Sequence, residues 1–389
     1  MRTEKENKLI EIVRAVAVDG VEYLGIGRME EDELRELYAF ARLHQLEHFI
    51  AYAMMPDDGR FERPFYNAAG FTMRQIAAAT EIAGGLRRAD IPFIILKGHV
   101  LRGMYLEKWM RNSCDVDILV HPEDMDRAGK VLEDLLYKRE AGLSAHDVTY
   151  SYGKMHIELH YTLMEEHLRE DVSSVLRRVW EESTPGEGSE RIMSDEMFYF
   201  YHVAHIWKHF ENGGCGVRSL LDLWVLNHRC KFDEGARREL LERGGLLKLD
   251  GEMRRLAEYW FAQGDGEGLD VLEEYVLSGG AYGRTENSVA VKKTKRGGRV
   301  KYFFSRVFAP RSLLEHYYPS LKKRPYLIPV YQVRRWIDAM RRDGKKYVNE
   351  LRENIKQDEN GEKIEQMLVS LGIKSTQSTT ERQENENNC

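Results

Sequence analysis

Cysteine is scarce in this chain and follows no pattern. Cys114, Cys215, Cys230 and Cys389 form no CxxC pair and no disulfide-like framework, so they read as reduced thiols. Long apolar runs are missing too. No stretch approaches the roughly 18 consecutive apolar residues of a helical membrane span. The N-terminus, MRTEKENKLIEIVRAVAVDG, is charged and has no long apolar segment, so no signal peptide is expected. Nor is one charge in surplus. Lys and Arg number 58 against 64 Asp and Glu, a formal net charge of -6, which gives no global reason to expect DNA or RNA. There is no convincing internal repeat. These absences point to a cytoplasmic protein without a membrane partner.

What the chain has is bulk. Its 389 residues at 42% apolar content suffice for a large core, and the length suggests two or three domains. Leu9, Ile10, Ile12, Val13 and Val16 recur at helical spacing, as do Leu34, Leu37, Tyr38 and Ala41. Residues 55–64 read as a loop from their Pro, Gly and Asp content, and 65–89 as a helix. Residues 1–89 are thus an N-terminal helical region.

The pattern is mixed from 90 to 182. Ile91–Leu96 is a short apolar run that suits a strand buried on both faces. Lys97-Gly98 breaks it, and His99–Lys108 suits a short helix. Val116–Val120 marks a second strand. Pro122 opens a helix to about Tyr137 with acids in its first turn. Val148–Tyr152 and Met155–His160, joined by Gly153-Lys154, form a hairpin. The expected core is a compact mixed sheet of four or five strands.

Residues 183–189 then read as a linker-like loop. A helical domain over 190–290 follows, with helices across 194–230, 234–263 and 268–278, the first capped by Ser194 or Asp195. Residues 291–372 hold a basic loop, Lys292 to Lys301, and a C-terminal helical region with a helix over 333–355. The tail 373–389 is too polar to bury a core and is expected to be disordered. The fold class is α+β, a mixed β-sheet core flanked by a largely α-helical body.

The chemistry concentrates in and near Ile91–Val120. Asp115 and Asp117, at i and i+2 on a strand, point to one face. Paired carboxylates suit a hard cation such as Mg²⁺, which takes oxygen ligands and shares them with substrate phosphates. Met155–His160 alternates strictly and puts His156, Glu158 and His160 on its polar face. Glu158, on a neighbouring strand, completes a three-acid cluster able to bind two metals. Such crowding raises the proton affinity of one acid until metal neutralises the site. Gly98 permits close backbone approach to a phosphate, Lys97 adds a point charge, and Arg111 offers a bidentate clamp.

Histidines offer a rival. His202, His205 and His209 share a helical face, with His205 and His209 at the i, i+4 spacing that grips Zn²⁺. His156 and His160 flank Glu158. No Cys or Asp stands at a diagnostic spacing to complete a zinc site from either group. On this reading the chain is a metal-dependent hydrolase.

LKGHVLRGMYLEKWMRNSCDVDILV followed by HIELHY resembles the uncharacterised bacterial nucleotidyltransferase family of the DNA polymerase β-like nucleotidyltransferase superfamily. That pattern is an apolar strand with Leu-Lys-Gly, then Arg, Asp-x-Asp, and later an acid two residues before a His. The match is good over Ile91–Tyr161 and looser through HIWKHF, GVRSLLDLWVL and LEHYYPSLKKRPYLIPV. The resemblance implies a nucleotidyltransferase core with a helical body and metal-dependent transfer of a nucleoside monophosphate from an NTP. Pyrophosphate leaves, and the cofactors are Mg²⁺ or Mn²⁺ with ATP as the expected donor. It implies that Asp115, Asp117 and Glu158 hold metal, with Glu158 orienting or deprotonating the acceptor hydroxyl. Lys97, Gly98, Arg111, His160 and Lys208 serve the nucleotide, and His209, Arg218 and Asp222 join Lys208 in lining the cleft. The acceptor is a small molecule, a protein or a nucleic acid, and the acidic balance weighs mildly against a long nucleic acid. The superfamily usually has Gly-Ser or Gly-Gly where this chain has Lys97-Gly98, so a serine hydroxyl on the triphosphate is missing. That departure motivates the alternative of a binding or regulatory module that keeps the fold without the reaction.

Overall fold

The computed structural model describes residues 2–21, 29–140, 146–164 and 169–283, with short pieces beyond at 287, 314, 321, 325–334, 337 and 359–372. The basic cluster 292–301, most of the helix expected over 333–355 and the tail 373–389 lie outside the described residues. The chain divides into two compact units: Met1–Trp207 with Val217–Glu267, and Lys208–Gly216 with Gly268–Cys389.

The first unit is built on a five-stranded mixed sheet. Its strands are β1 (Phe93–Ile95), β2 (Asp115–Val120), β3 (Lys138–Arg139), β4 (Asp147–Tyr152) and β5 (Met155–His160), in the order β1-β2-β5-β4-β3. Only β2 and β5 run parallel; the other neighbours are antiparallel. The two-residue turn Gly153-Lys154 sets the hairpin register. Gly153 takes a φ of 60°, Tyr152 faces Met155, and Asp147 therefore faces His160.

Alternation along the strands sorts the side chains by face. Val116, Ile118 and Val120 join Met155, Ile157, Leu159 and Tyr150 in one apolar cluster. It is closed by α4 (Glu62–Arg88), through Ala79, Ile82, Ala83 and Leu86, and by α6 (Met125–Asp134), through Ala128 and Leu132. A Cβ at Gly85 would meet Val131 Cγ1 at 2.7 Å, so glycine lets α4 lie close to α6. The opposite face carries the polar residues of β2, β5 and β4.

The first unit also contains α1 (Glu4–Ala17), α2 (Glu31–Leu43), α3 (Glu47–Met54), α5 (Lys97–Arg102) and α7 (Glu170–Leu176). Most of α8 (Asp195–Glu211) and α9 (Gly216–Arg229) lie in it, as do α10 (Glu234–Arg243) and α11 (Leu247–Phe261). Ser194 Oγ accepts from Met197 N at 3.2 Å and so caps α8. The helix expected over 234–263 is two helices. Gly244-Gly245 divides them, and Gly245 has a φ of 62° that favours glycine.

Three boundaries differ from expectation. α4 starts at Glu62 rather than 65, because Pro64 falls in the first turn, where no amide donor is needed. The helix after β1 is α5, which starts on Lys97 and ends by Gly103, well short of Lys108. The segment 183–189 is not a plain loop. It opens a hairpin of β6 (Ser183–Pro185) and β7 (Arg191–Met193), turned by Gly186 and Gly188. That hairpin meets the edge of β1: Phe93 bridges Glu190, and its amide donates to Ser189 O at 3.4 Å. Strands of three residues are too short to show a period.

In the second unit, α12 (Asp270–Gly279) packs against α13 (Glu359–Ser370). The Tyr275 hydroxyl donates to Phe210 O, and Asn287 Nδ2 donates to Gly213 O at 3.1 Å. Leu314 and Leu321 pack with Leu327, Ile328 and Tyr331. Among the described residues no helix is long and apolar enough to cross a membrane.

Candidate functional site

The parallel register places Asp115 beside His156 and Asp117 beside Glu158, on the polar face of the sheet. One ligand atom from each of Asp117, Glu158 and His160 lies within 4.8 Å of the others. His160 Nε2 stands 3.0 Å from Asp117 Oδ1 and 3.4 Å from Glu158 Oε2. Lys97 Nζ stands 3.1 Å from the same Asp117 oxygen. Depth is graded: the Asp117 side chain is 4% exposed and that of Glu158 31%.

Four titratable groups in this cluster are shifted. Burial pushes the Asp115 carboxyl up to about 6, helped by the charges of Asp117 and Glu158. Burial also acts upward on Asp117, but Lys97 and His160 outweigh it and hold that carboxyl below the usual range. Burial acts to lower Lys97, yet Asp117, with Tyr201, Asp115 and Glu158, keeps it charged well above the ordinary lysine value. His160 is likewise lowered by burial but raised overall by its hydrogen bonds to Asp117 and Glu158. The site carries more carboxylates than its one lysine neutralises. Oxygen donors crowded to the point of resisting ionisation suit a divalent cation.

Lys97 reaches Asp117 through a local backbone feature. Its φ is 37°, in the left-handed region that non-glycine residues seldom adopt. The chain turns there from β1 into α5, and Leu96 N donates to Asp117 O at 3.0 Å. Lys97-Gly98 is thus the first turn of a helix. A Cβ at Gly98 would lie 3.2 Å from Ser113 Cβ, so packing against the segment before β2 explains this glycine.

The structure puts Arg111 to a second use. Its Nε donates to both oxygens of Asp222, at 2.7 and 2.9 Å, and the Tyr105 hydroxyl donates to Asp222 Oδ1 at 2.6 Å. Arg218 Nη1 reaches Asn112 O at 3.4 Å. Lys208 and His209 belong to the second unit. His202 is buried, with Nε2 3.4 Å from Ser219 O. Among the described residues, the groups whose ligand atoms converge do not include His202, His205 or His209.

Sequence reasoning missed several contributors. Arg102 is buried, with Nε donating to Arg111 O at 2.9 Å and Nη2 to Ser113 Oγ at 2.6 Å; it also bonds Gln75. Burial pushes this guanidinium down to about 10. Gln75, on the alanine face of α4, donates to Ser113 O and Asp115 O at 3.2 and 3.3 Å. Together they fix the entry to β2. Tyr201 of α8 holds its ring 5.9 Å from Lys97 Nζ. His146 and Asp147 sit beside His160 at the start of β4. Counting outward from the two-residue turn would have found Asp147 opposite His160.

Residues 31–262, more than half of the chain, match the model of a family described as an uncharacterised nucleotidyltransferase. No curated protein and no solved structure matches the chain.

Proposed function

The chain belongs to the uncharacterised nucleotidyltransferase family, and from that premise we propose that it transfers a nucleoside monophosphate from an NTP to an acceptor hydroxyl. The observation that carries this reading is the convergence of Asp117, Glu158 and His160 on the parallel β2–β5 pair, with Lys97 seated on Asp117.

Asp115, Asp117 and Glu158 would hold Mg²⁺ or Mn²⁺ through oxygen. When bound, the ion supplies neutralising charge to the phosphates. Glu158, the more exposed partner of Asp117, orients the acceptor hydroxyl and takes its proton. The acceptor oxygen bonds to the α-phosphorus, the α–β bridging P–O bond breaks, and pyrophosphate leaves with the electron pair. Lys97, released from Asp117, places its charge against the phosphates. ATP is the proposed donor, and the acceptor is a small molecule or a protein.

The test is incubation with each labelled NTP, Mg²⁺ or Mn²⁺ and a cell extract, following label and pyrophosphate. Label on an acceptor, lost in Asp117→Asn, supports the proposal. Unchanged turnover in that variant overturns the site assignment. One observation favours a second reading, a regulatory module: Lys97 already sits as an internal cation on Asp117. Metal-dependent NTP binding without pyrophosphate release selects that reading.

A further inference from the structure

We propose that His146, Asp147 and His160 form a second metal site, beside the carboxylate cluster and suited to a zinc-class ion. It stands independently of the transfer reaction.

The first support is geometric. One ligand atom from each of the three residues lies within 4.8 Å of the others. His146 Nε2 is 3.3 Å from Asp147 Oδ1, and the imidazoles of His146 and His160 are 5.5 Å apart and tilted by 41°. Asp147 and His160 are cross-strand partners, so the tight turn at Gly153-Lys154 fixes their approach.

The second support is the state of His160. Its Nε2 is committed to Asp117 and Glu158. Its other ring nitrogen, Nδ1, is buried and has no hydrogen-bond partner, on a side chain only 1% exposed. A histidine whose one nitrogen donates to a carboxylate presents a lone pair at the other. That carboxylate–histidine pair is the usual support of a metal-bound imidazole. In the proposed site Asp117 would be the supporting carboxylate and Nδ1 the ligand atom.

The third support is the donor set. Two imidazole nitrogens and one carboxylate match Zn²⁺, with a fourth position left for water, and match Mg²⁺ poorly. An ion there fixes the His160 proton on Nε2 and holds it against Asp117 Oδ1. It thereby positions a residue of the carboxylate cluster without joining that cluster.

Titrating the full chain with Co²⁺ in excess Mg²⁺ tests the site, since tetrahedral Co²⁺ absorbs strongly in the visible. The wild type is expected to take one tetrahedral Co²⁺ that Mg²⁺ does not displace and Zn²⁺ does. His146→Ala should weaken it at least about tenfold, in line with the loss of even supporting groups at metal sites. Glu158→Gln should keep the absorption. No tetrahedral absorption in the wild type overturns the proposal, as does full affinity in His146→Ala. Loss in Glu158→Gln with retention in His146→Ala places the ion in the other cluster instead. Circular dichroism checks the fold of each variant. If His146→Ala does not fold, Asp147→Asn is read in its place by the same criteria.

Discussion

Asp222 and Asp117 are carboxylates buried in the same unit, each touching a cation, at 2.7 Å from Arg111 and 3.1 Å from Lys97. Their surroundings differ. Asp222 takes the Arg111 Nε on both oxygens and the Tyr105 hydroxyl on one, which matches one negative charge with one positive charge. Asp117 shares Lys97 with Asp115 and Glu158, and the surplus shows in Asp115, whose carboxyl is pushed up to about 6 by burial and by those neighbours. Burial alone does not separate a tether from a site. The balance of charge around the carboxylate does.

The largest effect expected from this contrast is on turnover. Asp117→Asn should lower pyrophosphate release by at least about a thousandfold, roughly 4 kcal/mol of transition-state stabilisation, while circular dichroism shows an intact fold. Asp222→Ala should do the reverse. Leaving the Arg111 guanidinium buried without its partner should cost about 3–5 kcal/mol of stability in urea melts, with turnover per folded molecule largely kept. If the folded fraction of Asp222→Ala is inactive, Arg111 acts on substrate and the contrast breaks.

A pH series sharpens the same comparison. Asp115 ionises less readily folded than unfolded, with a pKa raised from 3.8 to about 6. A raised acid favours the fold fully below the unfolded value and loses that contribution as pH rises through the folded value. The chain should therefore lose about 3 kcal/mol between pH 3.8 and about 6 from this group alone. Asp115→Asn should melt higher than the wild type above pH 6, with the gap closing below pH 4. Millimolar Mg²⁺ should raise the wild-type melting temperature above pH 6 and shrink the gap. The smallest expected effect is Gly98→Ala. Its new methyl would press on Ser113 and cost about 1 kcal/mol, with less change in turnover than in melting temperature.

Much of the five-stranded sheet was legible because strand alternation and a two-residue turn are local signals. Asp115, Asp117 and Glu158 follow from period two, and the hairpin from Gly153-Lys154. Arg111 was harder to read. Its partner Asp222 lies 111 residues away, and no spacing rule links a loop arginine to a carboxylate on a distant helix. Lys97 was expected at a break and lies in a helix, because a left-handed backbone at one residue joins β1 directly to α5. Gln75 and Arg102 looked like ordinary polar residues on helices. Their burial depends on how α4 and α5 cross the segment before β2.

The β6–β7 hairpin has a consequence for solubility. β1 is a short, wholly apolar edge strand, Phe93-Ile94-Ile95, and a bare strand of this kind is a template for another chain. The bridge from Phe93 to Glu190 and the amide bond to Ser189 O occupy that edge. The far edge, β3, is only Lys138-Arg139, too short and too charged to recruit a partner. A protease cut between 185 and 191 would leave the acids and Lys97 in place yet uncover β1. Such a nicked protein should self-associate in light scattering before its melting temperature changes, which makes the hairpin a guard against polymerisation.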